Sequence, residues 1–127
     1  MTAPEFSVSD ACRRAADGRR AARMVADWAR QFELSEPEFQ LLWCVHGAQE
    51  IGVDQRTLAG WLAFSPAQIS ATVERLQAAG WIVQHVCRDD RRRHLVQLAE
   101  AGAAKLAVIL SDAGQSSQAD DEREAAA

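Results

Sequence analysis

The sequence is poor in the residues that build disulfide frameworks and metal sites. It has three cysteines and three histidines among 127 residues, and it has no tyrosine. The cysteines are odd in number and have no C-x-x-C spacing, which indicates neither a disulfide framework nor a zinc site. The histidines are not spaced as metal ligands either. We therefore expect no metal and no cofactor.

Long apolar runs are also lacking. No stretch approaches the roughly 18 to 20 apolar residues that a membrane-spanning helix needs. The first residues, MTAPEFSVSDACRR, lack the apolar centre of a secretory signal. We expect a cytoplasmic protein that does not enter a membrane.

Catalytic motifs are missing as well. The sequence has no G-x-S-x-G elbow, no phosphate-binding loop and no H-E-x-x-H pair. Its acids Glu36 and Glu38 are better explained as residues at the positive end of a helix. We therefore predict no catalytic residues and no enzymatic activity.

The composition fits one folded domain with an uneven charge distribution. The chain has a mass of 13.9 kDa, is 48% hydrophobic and carries a net charge of -4. Residues 87–99 nevertheless carry four arginines against two acids, and residues 10–33 carry six against four. Lys105 is the one lysine, so the basic residues are almost all arginine. A GC-rich genome explains this preference for arginine over lysine as readily as phosphate binding does. The charge argues against indiscriminate coating of nucleic acid and leaves room for local basic patches.

Apolar spacing and capping residues predict the helices. A long N-terminal helix is expected over Ser9 to Phe32, within a first segment 1–33. Ser35 and Glu38 form a capping box that begins an apolar second helix. Asp54 caps a helix of about two turns, and Ser65 caps another that runs to Ala79. We expect Phe39, Trp43, Trp61 and Leu62 to lie in the core.

The second half of the chain predicts a hairpin followed by a helix. Residues 81–86 and 94–99 have strand composition and flank a polar connection at 87–93. A helix-like run from Ala99 to Leu110 follows, within a segment 100–114, and residues 115–127 have the composition of a disordered acidic tail. The predicted fold class is mainly α with a small β-hairpin. It is a winged helix-turn-helix over 34–99, flanked by N- and C-terminal helices.

This arrangement predicts a face that can bind DNA. If Ile69, Val73 and Leu76 face the core, the Ser65 helix turns its other side outward. The candidate contacts on that helix are Ser65, Ala67, Gln68, Ser70, Ala71 and Arg75. Gln68 can pair with adenine, and Arg91, Arg92 and Arg93 at the hairpin tip suit phosphates or a narrow minor groove. A solvated turn and an inert helix surface are the alternatives.

Three segments resemble the MarR family of bacterial winged-helix regulators. They are LSEPEFQLLW, LAGWLAFSPAQISATVERLQAAGWI and DDRRRHLVQLAEAG, between Leu34 and about Leu110. The resemblance implies that Asp90 orients the wing and Arg92 enters the minor groove. It also implies a homodimer that pairs through its terminal helices, a double-stranded DNA operator, and a regulator of the repressor type. Ala71 departs from the family, which usually has arginine there, and Ala99 stands where it usually has Thr or Ser.

The resemblance also implies control by a small aromatic acid or by cysteine oxidation. Trp28, Phe32, Trp43 and His46 are candidates to line an effector pocket, although ordinary core packing is the alternative. Cys12 lies beside arginines that can lower the pKa of a thiol, but an ordinary free cysteine is the simpler explanation. The competing function is a winged-helix module that binds a protein partner instead of DNA.

Overall fold

The computed structural model describes residues 7–48 and 51–112 of the chain. The described residues divide into two compact units, with the boundary between Gln40 and Leu41. The predicted acidic tail and the end of segment 100–114 lie outside the described residues.

The first unit is built on one long helix. Helix α1 spans Val8–Ala29 and begins where the Ser7 hydroxyl accepts a hydrogen bond from the Asp10 N–H. A 3-10 turn at Arg30–Phe32 follows, and the left-handed Glu33, with φ 60°, ends it. The predicted helix is confirmed, but its last three residues form the tighter turn. The Trp28 ring stands edge-on to two phenylalanine rings, Phe32 at 5.3 Å and Phe39 at 4.8 Å between centroids.

Helix α2, Glu36–Gly47, begins at the predicted capping box. The Ser35 N–H donates to the Glu38 carboxylate at 2.9 Å, and the Glu38 N–H donates to the Ser35 hydroxyl at 3.3 Å. Both bonds give an acceptor to a backbone N–H group that the start of a helix otherwise leaves without one. The prediction of this helix start is therefore confirmed.

Two helices and a small sheet form the centre of the second unit. Helix α3 spans Gln55–Leu62, and helix α4 spans Pro66–Ala78. Asp54 caps α3 by accepting the Thr57 N–H at 2.7 Å, and Ser65 caps α4 by accepting the Gln68 N–H at 3.1 Å. Gly80, with φ 85°, follows α4 in a conformation that favours glycine.

The sheet has one strand more than predicted. Strands β2, Ile82–Val86, and β3, His94–Leu98, form the predicted hairpin. A two-residue strand β1, Val53–Asp54, pairs antiparallel with the other side of β3, so the strand order is β1-β3-β2. Two residues are too few to show an alternating pattern, so β1 could not be predicted from the sequence.

A fifth helix, α5, covers residues 100–112 and lies against the start of β2. The Ala99 N–H donates to the Trp81 carbonyl at 2.9 Å. At Gly102 an added Cβ would lie 2.8 Å from the Trp81 carbonyl carbon. Only a residue without a Cβ permits this approach.

The core of the second unit is aliphatic. Its fully buried side chains include Leu41, Leu42, Val45, Leu58, Ile69, Val73, Leu76, Ile82, Val96 and Leu106. Burial of Ile69, Val73 and Leu76 confirms the predicted inner face of α4.

Two predicted core residues are exposed instead. Trp43 is 55% exposed and Trp61 is 60% exposed, so the prediction that both lie in the core is wrong. Phe39 and Leu62 are half-buried. Helix α2 carries apolar residues on nearly every side, more than its buried face of Leu41, Leu42 and Val45 accommodates.

Candidate nucleic-acid interface

The outer face of α4 is open to solvent. Its exposed positions are Ala67, Gln68, Ser70, Ala71, Glu74 and Arg75, with Ser65 exposed at the cap. The amide of Gln68 and the hydroxyl of Ser70 are hydrogen-bonding groups that can read base edges. The small side chains of Ala67 and Ala71 leave room for close approach. The exposed face of α4 is therefore polar and carries small side chains.

A buried hydroxyl beneath this face steadies Arg75. Thr72 is fully buried, and its hydroxyl donates to the Gln68 carbonyl at 2.7 Å. The same oxygen accepts a hydrogen bond from the Arg75 guanidinium at 3.3 Å. Thr72 was not among the predicted site residues, although its place between Ile69 and Val73 on the inner side of the helix was the available signal. The bond holds the Arg75 side chain along the helix surface.

A compact turn shapes the tip of the β2–β3 hairpin, which we call the wing (Cys87–Arg93). The Asp90 carboxylate accepts the Arg92 N–H at 3.0 Å, and the Asp90 carbonyl accepts the Arg93 N–H at 3.0 Å. The Cys87 N–H donates to the Arg93 carbonyl at 2.9 Å and closes the base of the wing. Arg91 and Arg92 are exposed. Asp90 therefore sets the backbone that presents these two guanidinium groups.

Arg93 differs from its two neighbours because it is ion-paired. Its guanidinium donates to one oxygen of Asp54 from Nε at 3.1 Å and from Nη2 at 2.8 Å. The other oxygen of Asp54 caps α3. The partners are 39 residues apart in sequence, so local patterns could not reveal the pair. One carboxylate thus joins the wing to the start of α3.

An open groove lies between the wing and the start of α3. Its volume is about 590 Å³, and its lining residues are Asp54, Gln55, Arg56, Gln84, Arg92, Arg93 and His94. Arg56 is exposed and was not among the predicted site residues. Arg56 and Arg92 make the groove electropositive, which suits a backbone phosphate.

Hydrogen bonds lower the pKa of Asp54. The largest contributions come from the side chain and backbone of Thr57, followed by the Arg93 guanidinium, and partial burial opposes them. Asp54 of the folded protein is therefore ionised at neutral pH. In the described parts of the chain, no group of three or more His, Cys, Asp or Glu side chains is placed to hold a metal ion.

The candidate effector and redox residues are distributed over both units. Trp28 and Phe32 are half-buried in the first unit. In the second unit the exposed Trp43 ring lies 6.3 Å from the His46 ring, between centroids. Cys12 is exposed on α1, whereas Cys44 and Cys87 are half-buried. Burial raises the pKa of the Cys44 thiol, so it has little thiolate character.

No protein-family model matches the chain, and no curated protein matches it significantly. Solved structures do. A crystal structure of MepR, a transcription regulator of the Staphylococcus aureus multidrug efflux pump MepA, superposes with a TM-score of 0.73 at 18% identity, over 93% of this chain and 84% of that one. The S. aureus MepR–DNA complex gives 0.69 at 19% identity, over 94% and 85%. Wild-type apo MarR from Escherichia coli gives 0.72 at 18% identity, over 90% and 81%.

The chain has the winged-helix fold of MarR. The predicted fold class, a mainly α winged helix-turn-helix flanked by terminal helices, is confirmed. In this fold α3 and α4 form the helix-turn-helix, and the β2–β3 hairpin carries the wing at its tip. No helix in residues 7–48 and 51–112 is long and apolar enough to cross a bilayer.

Proposed function

We propose that the protein is a sequence-specific DNA-binding transcription regulator of the MarR family, acting as a repressor. One observation carries the proposal: the polar outer face of α4 is exposed in the same compact unit as a wing that presents Arg91 and Arg92. A winged helix-turn-helix binds duplex DNA with these two elements. The complex of MepR with DNA supports the same use of the fold.

The two elements divide the task between base recognition and backbone binding. Gln68 donates to and accepts from the edge of an adenine, and Ser70 bonds a base or a phosphate. The methyl groups of Ala67 and Ala71 contact thymine methyls. Arg91 and Arg92 bind phosphates or enter a narrow minor groove, where the potential is most negative. Arg75, held by Thr72, lies along the same helix for a further backbone contact.

The functional form in this proposal is a homodimer paired through the terminal helices. Exposed apolar side chains on these helices support it: Val8 and Met24 on α1 and Val108 on α5. Two copies would bind the half-sites of a pseudo-palindromic operator, with centres about 34 to 36 Å apart. In this proposal, binding of a small aromatic acid or oxidation of Cys12 would release the DNA. We propose a binding role without enzymatic activity.

Selection from random duplexes, followed by fluorescence anisotropy at several salt concentrations, tests the proposal. We expect a selected duplex to bind with log affinity falling steeply against log salt, because phosphate contacts release counterions. Arg92→Ala should flatten this slope by about one unit for every duplex, whereas Gln68→Ala should mainly relax base preference. Lys105→Gln is the matched control: it removes one positive charge near Trp81, at the end of the hairpin opposite the wing.

A protein-binding module is the second candidate, and the exposed Trp43 and Trp61 favour it. Tryptophan is enriched at protein interfaces. This candidate predicts no duplex binding at any salt concentration. If both Arg92→Ala and Gln68→Ala bind a selected duplex as the parent does, the proposed docking mode is wrong.

A further inference from the structure

We infer that Arg93 is a positioning residue of the wing and contributes no charge to the DNA backbone, because the Asp54 carboxylate holds it against the start of α3. This inference rests on the proposed function and refines it. It separates Arg93 from Arg91 and Arg92, with which the sequence groups it as one basic cluster.

The Asp54 carboxylate binds both the start of α3 and the Arg93 side chain. Its two carboxylate oxygens have different partners: Oδ1 accepts the Thr57 N–H at 2.7 Å, and Oδ2 accepts two donors of Arg93. The Asp54 side chain is 19% exposed and that of Arg93 is 52% exposed. While this pair is intact, the Nε and Nη2 groups of Arg93 point to Asp54 and are not available to a phosphate.

The pairing of β1 with β3 brings Asp54 and Arg93 together. Strand β1 pairs Asp54 with Leu95 of β3, two residues from Arg93, so the backbone already places both charges side by side. The Arg93 carbonyl and N–H close the wing through Cys87 and Asp90. Fixing the Arg93 side chain therefore fixes the turn that presents Arg92.

A second connection acts on the strand next to β3. The side-chain amide of Gln84 on β2 accepts from the Gln55 side-chain amide at 3.1 Å and donates to the side-chain oxygen Oε1 of Gln77 at 2.8 Å. These bonds link β2 to the first turn of α3 and the last turns of α4. Together with the Arg93–Asp54 pair they fix the wing relative to α4, and this spacing decides whether both reach one duplex.

The test compares Arg93→Ala, Asp54→Asn and the double variant with the parent and with Asp89→Asn. Asparagine is as good an N-cap as aspartate, so Asp54→Asn removes the ion pair while α3 keeps its cap. Asp89→Asn removes the same charge from an exposed position on the wing. Two readouts are used: hydrogen exchange of the Cys87 and Arg93 amides without DNA, and the salt dependence of duplex binding.

We expect Arg93→Ala and Asp54→Asn each to speed exchange of the wing amides and to weaken duplex binding by about two- to fivefold, the range for a partly exposed ion pair. The double variant should bind the duplex no less tightly than the single variant with the lower affinity. The slope of log affinity against log salt should equal that of the parent in all three variants. Asp89→Asn should bind at least as tightly as the parent, because it removes a repulsive charge.

Two results would overturn the inference. The first is a salt slope flattened by about one unit in Arg93→Ala together with tighter binding by Asp54→Asn, since Arg93 would then leave Asp54 for a phosphate. The second is unchanged exchange of the wing amides in both single variants. If the parent binds no duplex, the proposed function fails, while the exchange experiment still decides whether Arg93 and Asp54 hold the wing.

Discussion

Replacing Gly102 by alanine should destabilise the protein although alanine is the better helix former. An added Cβ would lie 2.8 Å from the carbonyl carbon and 2.9 Å from the Cα of Trp81. These neighbours are backbone atoms, so the clash is not relieved by rotating a side chain. Helix α5 must move away from the start of β2.

The magnitude follows from three contributions. Overpacking of this kind costs about 1 to 3 kcal/mol. Movement of α5 also weakens the 2.9 Å bond from the Ala99 N–H to the Trp81 carbonyl, a loss of about 1 kcal/mol. Helix propensity returns about 1 kcal/mol. We expect Gly102→Ala to lower the free energy of unfolding by about 1 to 3 kcal/mol, from the overpacking that remains.

Urea denaturation followed by circular dichroism measures this change, and Gly60→Ala is the matched control. Gly60 lies within α3, and nothing stands within 4 Å of the Cβ it would gain. Gly60→Ala should therefore stabilise the protein by about 0.5 to 1 kcal/mol. Equal stabilisation by the two substitutions would refute the close approach of α5 to Trp81.

Three further predictions follow from the caps and the thiols. Ser65→Ala should lower the free energy of unfolding by about 1 kcal/mol in urea denaturation, because the Gln68 N–H loses its acceptor; no loss would contradict the cap. The stability advantage of the parent over Asp54→Asn should be full at neutral pH and shrink below about pH 4, because the folded state lowers the pKa of Asp54. Urea midpoints of both proteins measured across pH check this. A difference in free energy of unfolding that does not change with pH would contradict it. Iodoacetamide should alkylate Cys44 more slowly than the exposed Cys12, as peptide mass spectrometry would show, because burial raises the pKa of Cys44; faster labelling of Cys44 would be the opposite result.

Local signals explain which parts of the fold were predictable. Ser35, Asp54 and Ser65 each cap a helix by a bond to a residue three positions later. Such short-range bonds can be predicted from the residue types at that spacing. The inner face of α4 was equally clear, because Ile69 and Val73 recur at helical spacing.

The failures share a dependence on contacts distant in sequence. Exposure of Trp43 and Trp61 depends on which side of each helix the rest of the unit covers, and an apolar pattern on every side does not specify that. The Arg93–Asp54 pair joins residues 39 apart. Arg56 became a candidate only when the start of α3 was placed beside the wing.

The salt dependence of duplex binding by Arg92→Ala, beside the parent and the Lys105→Gln control, tests the central claim most directly. If the wing and the outer face of α4 bind one duplex, Arg92→Ala should flatten the slope of log affinity against log salt by about one unit, and the control should leave it unchanged. Parallel slopes for all three proteins, or no binding by the parent, would contradict the claim.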